Sequence, residues 1–98
     1  MRALVVARNR HPVPPDMLPA IADGFRAWRD QYRSKMEAFH FFVTSNGGFG
    51  IANVADESEL YQMLLDWPLT PFSDIEVDLI VDGDVALQQW ADRVAQMA

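Results

Sequence analysis

WPLTPFSDIEVD, residues 67–78, is the stretch whose reading decides the fold. Pro68 and Pro71 have no backbone N–H to give a helix and cannot continue one, so whatever precedes Trp67 ends there. After them the chain alternates with period two. Ile75, Val77 and Leu79 fall on one face of a strand and Glu76 and Asp78 on the other. Working backward, Asp56 and Glu59 have the D-x-x-E spacing of a capping box. Leu60, Met63, Leu64 and Trp67 follow at helical steps, so the spacing predicts a helix that runs from this cap to Pro68.

Further upstream, Ala3 to Ala7 is an apolar run of strand length, closed by Arg8-Asn9-Arg10. His11 to Pro15, HPVPP, is a connecting loop, and Asp16 stands where an N-cap is expected. Leu18, Ile21, Phe25, Trp28, Tyr32 and Met36 then recur at steps of three and four, which predicts a first helix of about 17–20 residues. Phe39 to Thr44 reads as a second strand because it is aromatic and β-branched. Ser45-Asn46-Gly47-Gly48 is a turn that leads into a third strand, Phe49 to Val54. The fourth strand is expected over Ile75 to Val81, and Gly83-Asp84 opens a last helix with Leu87, Trp90, Val94 and Met97 on one stripe.

The order is β-α-β-β-α-β with a C-terminal helix. It predicts an α+β, ferredoxin-like domain over residues 1–98 with a four-stranded antiparallel sheet. Both inner helices pack on one side, which leaves the other sheet face bare. In strand two that face carries either Phe39, Phe41 and Val43 or His40 and Phe42, and both sets are too apolar to leave in water. A second subunit packed sheet to sheet, a dimeric α+β barrel, is the expected remedy.

Composition points the same way. A chain of 98 residues buries only a modest core of its own, yet 50% of this one is hydrophobic, with three Trp and six Phe. A homodimer or higher homo-oligomer is expected to take up the surplus. The absence of cysteine excludes disulfides and thiolate metal sites. A net charge of −6 argues against nucleic acid, which needs a surplus of Lys and Arg on one face. The longest apolar runs fall far short of a membrane span, and no signal-type apolar segment precedes the first strand. The expectation is a cytoplasmic protein without a nucleic-acid or membrane partner.

With those residues in view, the chain resembles the muconolactone isomerase family. The resemblance is carried by WPLTPFSDIEVD after the helical SELYQMLLD, and by the HPVPPDM loop. It covers residues 1–82 in order and length and is specific over 67–78. It implies a ferredoxin-like fold, assembly into dimers and larger rings, and a cofactor-free proton shift on an unsaturated lactone. Two departures bear on that activity. Members of the family carry a Glu in the middle of helix one, where this chain has Asp23-Gly24-Phe25-Arg26. Their second strand is basic, whereas this one keeps a single histidine, His40, and no arginine.

Candidate site residues follow from type and alternation. His40 is the preferred acid–base, because histidine exchanges protons near neutral pH. The alternative is a structural histidine hydrogen-bonded across a dimer interface. Glu76 and Asp78 share the face proposed for His40 and would orient it, or else form a solvated or ion-paired face. Gly50 and Ala52, with Ala3 and Ala7, are small where a packed core would use Val or Ile. Either they leave a ligand cavity or Phe42 and Trp28 fill the room. Phe42, Gly50, Ala52, Arg26 and Trp28 are therefore the candidate substrate-binding residues. Arg26, Arg29 and Arg33 suit a carboxylate, although a surface ion-pair lattice is the plainer use of them. Trp67 reads as a core anchor. His40 with Glu76 and Asp78 is a weak metal set, so no metal and no cofactor is expected. The expected activity is a proton shift on an unsaturated lactone or related cyclic carbonyl compound. The alternatives are a non-catalytic ligand-binding or accessory oligomer and a dimeric-barrel monooxygenase built on Trp28 or Trp67, Asn53 and His40.

Overall fold

Four antiparallel strands lie in the order β2-β3-β1-β4 in the computed structural model, which describes residues 1–97. The elements are β1 (Arg2–Asn9), α1 (Leu18–Tyr32), β2 (Met36–Phe41), β3 (Gly47–Asn53), α2 (Glu57–Asp66), β4 (Ser73–Ile80) and α3 (Gly83–Met97). This is the ferredoxin-like order expected from the sequence. The cap of α2 forms as its spacing predicted. The Asp56 carboxylate accepts from the Glu59 backbone N–H at 2.9 Å, and the Glu59 carboxylate accepts from the Ala55 N–H at 3.1 Å. At the other end Pro68 follows directly after the cap residue, Trp67.

Register assigns the sheet faces. Ala3, Val5 and Ala7 of β1 stand opposite Ala52, Gly50 and Gly48 of β3, and opposite Leu79, Val77 and Ile75 of β4. Directly opposed residues share a face, so the centre of the helix-facing side is built mostly of alanine and glycine. Trp28 and Tyr32 of α1 and Leu60 and Met63 of α2 come down on it and are buried with Ala3, Ala52 and Val54. Two polar ties hold the helices together. The Trp28 indole N–H donates to the Met63 carbonyl at 2.9 Å, and the Tyr32 hydroxyl donates to the Asp66 carboxylate.

Several boundaries differ from expectation, among them β3 and β4, which begin at Gly47 and Ser73 and end at Asn53 and Ile80. Asp16 caps nothing; it sits inside a short 3-10 turn, Pro15–Met17, and α1 begins at Leu18 without a side-chain cap. The first helix also stops earlier, at Tyr32, and after another 3-10 turn Met36 is extended (φ −117°, ψ 122°) and starts β2. Met36 keeps its place on the apolar stripe all the same, because a bulge between Met36 and Ala38 turns it toward the helices. The second strand ends at Phe41, short of Thr44. Phe42 closes the hairpin through its N–H to the Gly47 carbonyl at 2.9 Å, and Val43 is wholly exposed.

α3 packs differently from the other helices: none of its described residues is buried, and Leu87, Trp90 and Met97 stand at least 60% exposed.

Two outcomes test this architecture. Gly47 has φ +139°, and a Cβ there would lie 2.2 Å from the Ala7 carbonyl oxygen. Gly47→Ala is expected to destabilise the fold by about 1–3 kcal/mol in urea unfolding, whereas Gly83→Ala, with nothing within 4 Å of the new methyl, stays within about 0.5 kcal/mol of wild type. The second concerns Tyr32, whose pKa is pushed up from 10.0 to about 12, first by its hydrogen bond to Asp66 and then by burial. The folded state thus holds the phenol proton more tightly than the unfolded chain does. Its contribution is complete below about pH 10 and is lost as pH rises toward 12. Thermal unfolding should show that loss over this window, and Tyr32→Phe should flatten it.

Candidate functional site

The small residues at the sheet centre leave space that the helices do not fill. A half-open cleft of about 80 Å³ lies between the helix-facing side of the sheet and the α1 and α2 layer. Its floor is Val5, Ala7, Gly48, Gly50 and Ala52, and its walls include Phe25, Trp28, Met36, Phe39, Phe41 and Trp67. The rings form a continuous set. Phe25 has its centroid 5.7–5.8 Å from those of Trp28, Phe39, Phe41 and Trp67. Such edge and tilted contacts hold a rigid apolar wall and leave ring faces free for a planar guest.

Polar groups are few here. Trp28 has spent its indole N–H on Met63, and Asn9 at one end accepts from the Ser73 hydroxyl at 2.8 Å. Trp67 is different: its indole nitrogen is buried and has no hydrogen-bond partner among the described residues. An unmet buried donor costs about 1–3 kcal/mol, so a ligand oxygen that reached it would recover that energy.

Gly50 and Ala52, two of the expected substrate-binding residues, line the cleft on the helix side of the sheet and not between paired sheets, and the Met36 methyl takes the space over Gly50, where a Cβ would lie 2.7 Å from it. The register explains this, since both stand opposite helix-facing residues of β1. Trp28 lines the same cleft. Phe42 lies away from it, on the other face, where its ring neighbours Phe49 and the Arg8 guanidinium sits 5.0 Å from its centroid. Arg26 is exposed on α1 and pairs with Asp23 at 3.6 Å.

The expected acid–base set is not brought together within one chain. His40 pairs in register with Phe49, Phe49 with Val6 and Val6 with Glu76, so His40 and Glu76 share a face but lie at opposite edges of the sheet. Three strand spacings separate them, about 14 Å. The His40 ring stacks on Phe49 with centroids 5.1 Å apart. Glu76 and Asp78 are exposed on β4, and neither makes an ion pair among the described residues. The arginines of the neighbouring strand β1 are engaged elsewhere: Arg2 with Glu37 at 2.8 Å, and Arg8 over Phe42.

The structure sets apart two residues that the sequence left among alternatives, Trp67 and Arg29. Trp67 was assigned to the core by its helical spacing. Arg29 was grouped with Arg26 and Arg33, yet those two have carboxylate partners on α1 and Arg29 has none among the described residues. Its guanidinium lies 4.9 Å over the Phe39 ring and buries one nitrogen, Nη1, without an acceptor. A glycine gave the best available sequence signal for the cleft, and Gly50 was singled out on that ground.

No protein-family model matches the chain, and no curated protein matches it by sequence. Solved structures do. Muconolactone isomerase aligns with a TM-score of 0.75 and 19% identity, over 84% of this chain and 90% of that one. A 5-chloro-2-hydroxyhydroquinone dehydrochlorinase from Burkholderia phenoliruptrix, in complex with 2,5-dihydroxybenzoquinone, aligns with a TM-score of 0.67 and 17% identity, over 86% of this chain and 97% of that one. At such identities the likeness is one of architecture: the chain has the muconolactone isomerase-like fold.

Proposed function

We propose that this protein is a small-molecule enzyme that takes a planar cyclic carbonyl compound into the cleft between the sheet and α1 and α2 and shifts a proton on it without a cofactor. The observation that carries this reading is the unpartnered indole N–H of Trp67 beside an aromatic, apolar cleft. A ring carbonyl fits both features. Its π-face is received by Phe25, Phe39 and Phe41, and its oxygen accepts from Trp67. The two similar enzymes act, by their names, on a lactone and on a hydroquinone.

His40 is the proton carrier in this reading. It is the one ionisable residue bordering the cleft among the described residues. Its ring lies on the far face of β2, stacked on Phe49, and β2 is an edge strand, so the ring has to turn round that edge to come within reach of a ligand in the cleft. Glu76 and Asp78 of the same chain are too distant to orient it, and that role falls to the same residues of a second copy or to none. The second reading, a non-catalytic ligand-binding protein, draws its support from the cleft itself, where no carboxylate among the described residues lines the wall.

The oligomer belongs to this proposal too. Leu4, Val6, Phe49 and Ile51 leave the face away from the helices apolar and half-buried, and α3 carries an uncovered stripe. A second copy covers both.

Deuterium uptake at the γ carbon of γ-crotonolactone, followed by proton NMR in heavy water, tests the chemistry. The protein should accelerate uptake, and His40→Ala should slow it by about 10²–10⁴-fold. Trp67→Phe, which keeps a ring and loses the donor, should weaken lactone binding by about 5–10-fold, in line with one neutral hydrogen bond. Binding without uptake would establish the second reading; absence of binding would refute both. For the assembly, the double substitution Trp90→Asp and Val94→Asp should lower the mass measured by sedimentation, and an unchanged mass would remove α3 from the interface.

A further inference from the structure

We propose that two copies of the chain pack through the sheet face away from the helices with His40 of each against Glu76 of the other, so that the pair tightens as the pH falls through the histidine range. The inference rests on the reading that a second copy covers this face, and it adds how that copy docks and which group controls it. Register orders the side chains of the face into rows that run across the strands. One row is His40, Phe49, Val6 and Glu76, and the next is Ala38, Ile51, Leu4 and Asp78. On the other side lies the row Phe42, Gly47, Arg8 and Asp74. The centre of the face is apolar and its two edges are unlike. β4 presents three exposed carboxylates, Asp74, Glu76 and Asp78. β2 presents the exposed His40, and beside it the Arg8 guanidinium reaches past Gly47 to lie 5.0 Å over the Phe42 ring.

Such a face is complementary to itself. A two-fold axis parallel to the strands, between β3 and β1, lays β2 of one copy over β4 of the other and reverses every row. Phe49 then meets Val6 of the second copy, Ile51 meets Leu4, and His40 meets Glu76. In the third row the side chain of Arg8 enters the room left at Gly47 of the second copy, and the cationic edge faces Asp74. An axis across the strands would set β4 on β4 and oppose the carboxylates of one copy to those of the other, so charge selects the first axis. Packed sheets lie about 10 Å apart and cross at about 30°. At the edge, about 7 Å from the axis, that rotation moves facing residues by about 3.5 Å, within the reach of a glutamate side chain.

The charges around His40 give the sign of the pH dependence. Within its own copy it stacks on Phe49 and has no carboxylate partner among the described residues. Arg8 is the charge one row away on the same edge, and Glu37, further along β2, is held by Arg2 at 2.8 Å. From the second copy the facing groups are Glu76, with Asp74 and Asp78 two residues to either side. A proton on His40 thus meets a like charge in a lone copy and opposite charges in the pair. The pair binds that proton more tightly than the separate copies do. Its contribution is complete below the ordinary histidine range, about pH 6.5, and is lost as the pH rises above it. Arg8 keeps its charge throughout, so the pair weakens at high pH and is not abolished.

Sedimentation equilibrium at about pH 5.5 and about pH 8, on either side of the histidine range, tests the pair. The dissociation constant should be at least about tenfold lower at the acid value, the order expected of two symmetry-related charge-assisted contacts. His40→Gln and Glu76→Gln should each bring the two values within about twofold of each other. His11→Gln, which removes the other histidine, should keep the difference. The exchange variant His40→Glu with Glu76→His should restore it, because the two-fold axis brings the exchanged groups together again. Val6→Asp, at the centre of the face, should give monomers with the circular dichroism of wild type; if that spectrum is lost, Ile51→Gln decides by the same criterion. No pH difference in wild type, a difference that survives in either single variant or vanishes in His11→Gln, or an exchange variant that does not regain it, would overturn the His40–Glu76 contact and leave a second copy on this face. A wild type that is monomeric at both pH values, or a folded Val6→Asp or Ile51→Gln that assembles as wild type does, would overturn the two together.

Discussion

The centre of the helix-facing sheet is made of residues too small to fill the space beneath two helices, and much of the molecule follows from that constraint. Ala3 and Ala7 face Ala52 and Gly48, with Gly50 opposite Val5. Large rings must come in from the periphery: Phe25 and Trp28 from α1, Phe39 and Phe41 from the edge strand, Trp67 from the end of α2. The Trp28 indole bond to the Met63 carbonyl and the Tyr32 bond to Asp66 set how far apart the two helices ride. Gly24 of α1 lets them approach at their other contact, where a Cβ would meet Pro68 at 3.2 Å. Aromatic rings cannot tile the remaining volume at the density of a branched aliphatic core, and the residue of that mismatch is the cleft.

A site of this kind does its chemistry with few polar atoms. The apolar walls exclude water, which strengthens each donor that remains and raises the cost of leaving it unmet. Trp67 and Arg29 are the two buried donors without partners among the described residues, and they sit on either side of one aromatic wall. Elsewhere the charges are satisfied in the ordinary surface manner, by Arg10 with Asp74 and Lys35 with Glu59. Such exposed pairs contribute little to stability, so the unusual electrostatics are confined to the cleft and its mouth.

Much of the fold was legible because its signals are local. Pro68 ends α2 for covalent reasons, the Asp56–Glu59 box forms from a three-residue spacing, and the chain enters β3 at Gly47, which adopts a φ that side chains resist. The alternation of Ile75, Glu76, Val77 and Asp78 assigned their faces correctly. Boundaries without such markers were misjudged. Met36 lies on the helical stripe by spacing yet begins a strand, because a bulge gives it the same inward direction that another helical turn would have given. The site was only partly legible. Gly50, Ala52 and Trp28 were read as lining a cavity, but the side of the sheet on which it opens depends on inter-strand register, which no single segment encodes.

The sequence by itself determined the order of elements, the alternation that divides each strand's residues between two faces, and the presence of more apolar surface than one small core can bury. Tertiary structure decided which of those residues meet. His40 and Glu76 alternate to the same face, but β3 and β1 stand between them, and the strand order that inserts those two strands arises from long-range pairing. Arg26, Arg29 and Arg33 are alike in the linear chain. Only the packing of α1 against β2 turns one of them onto Phe39 and away from every carboxylate among the described residues, because burial and partnership belong to the space between elements.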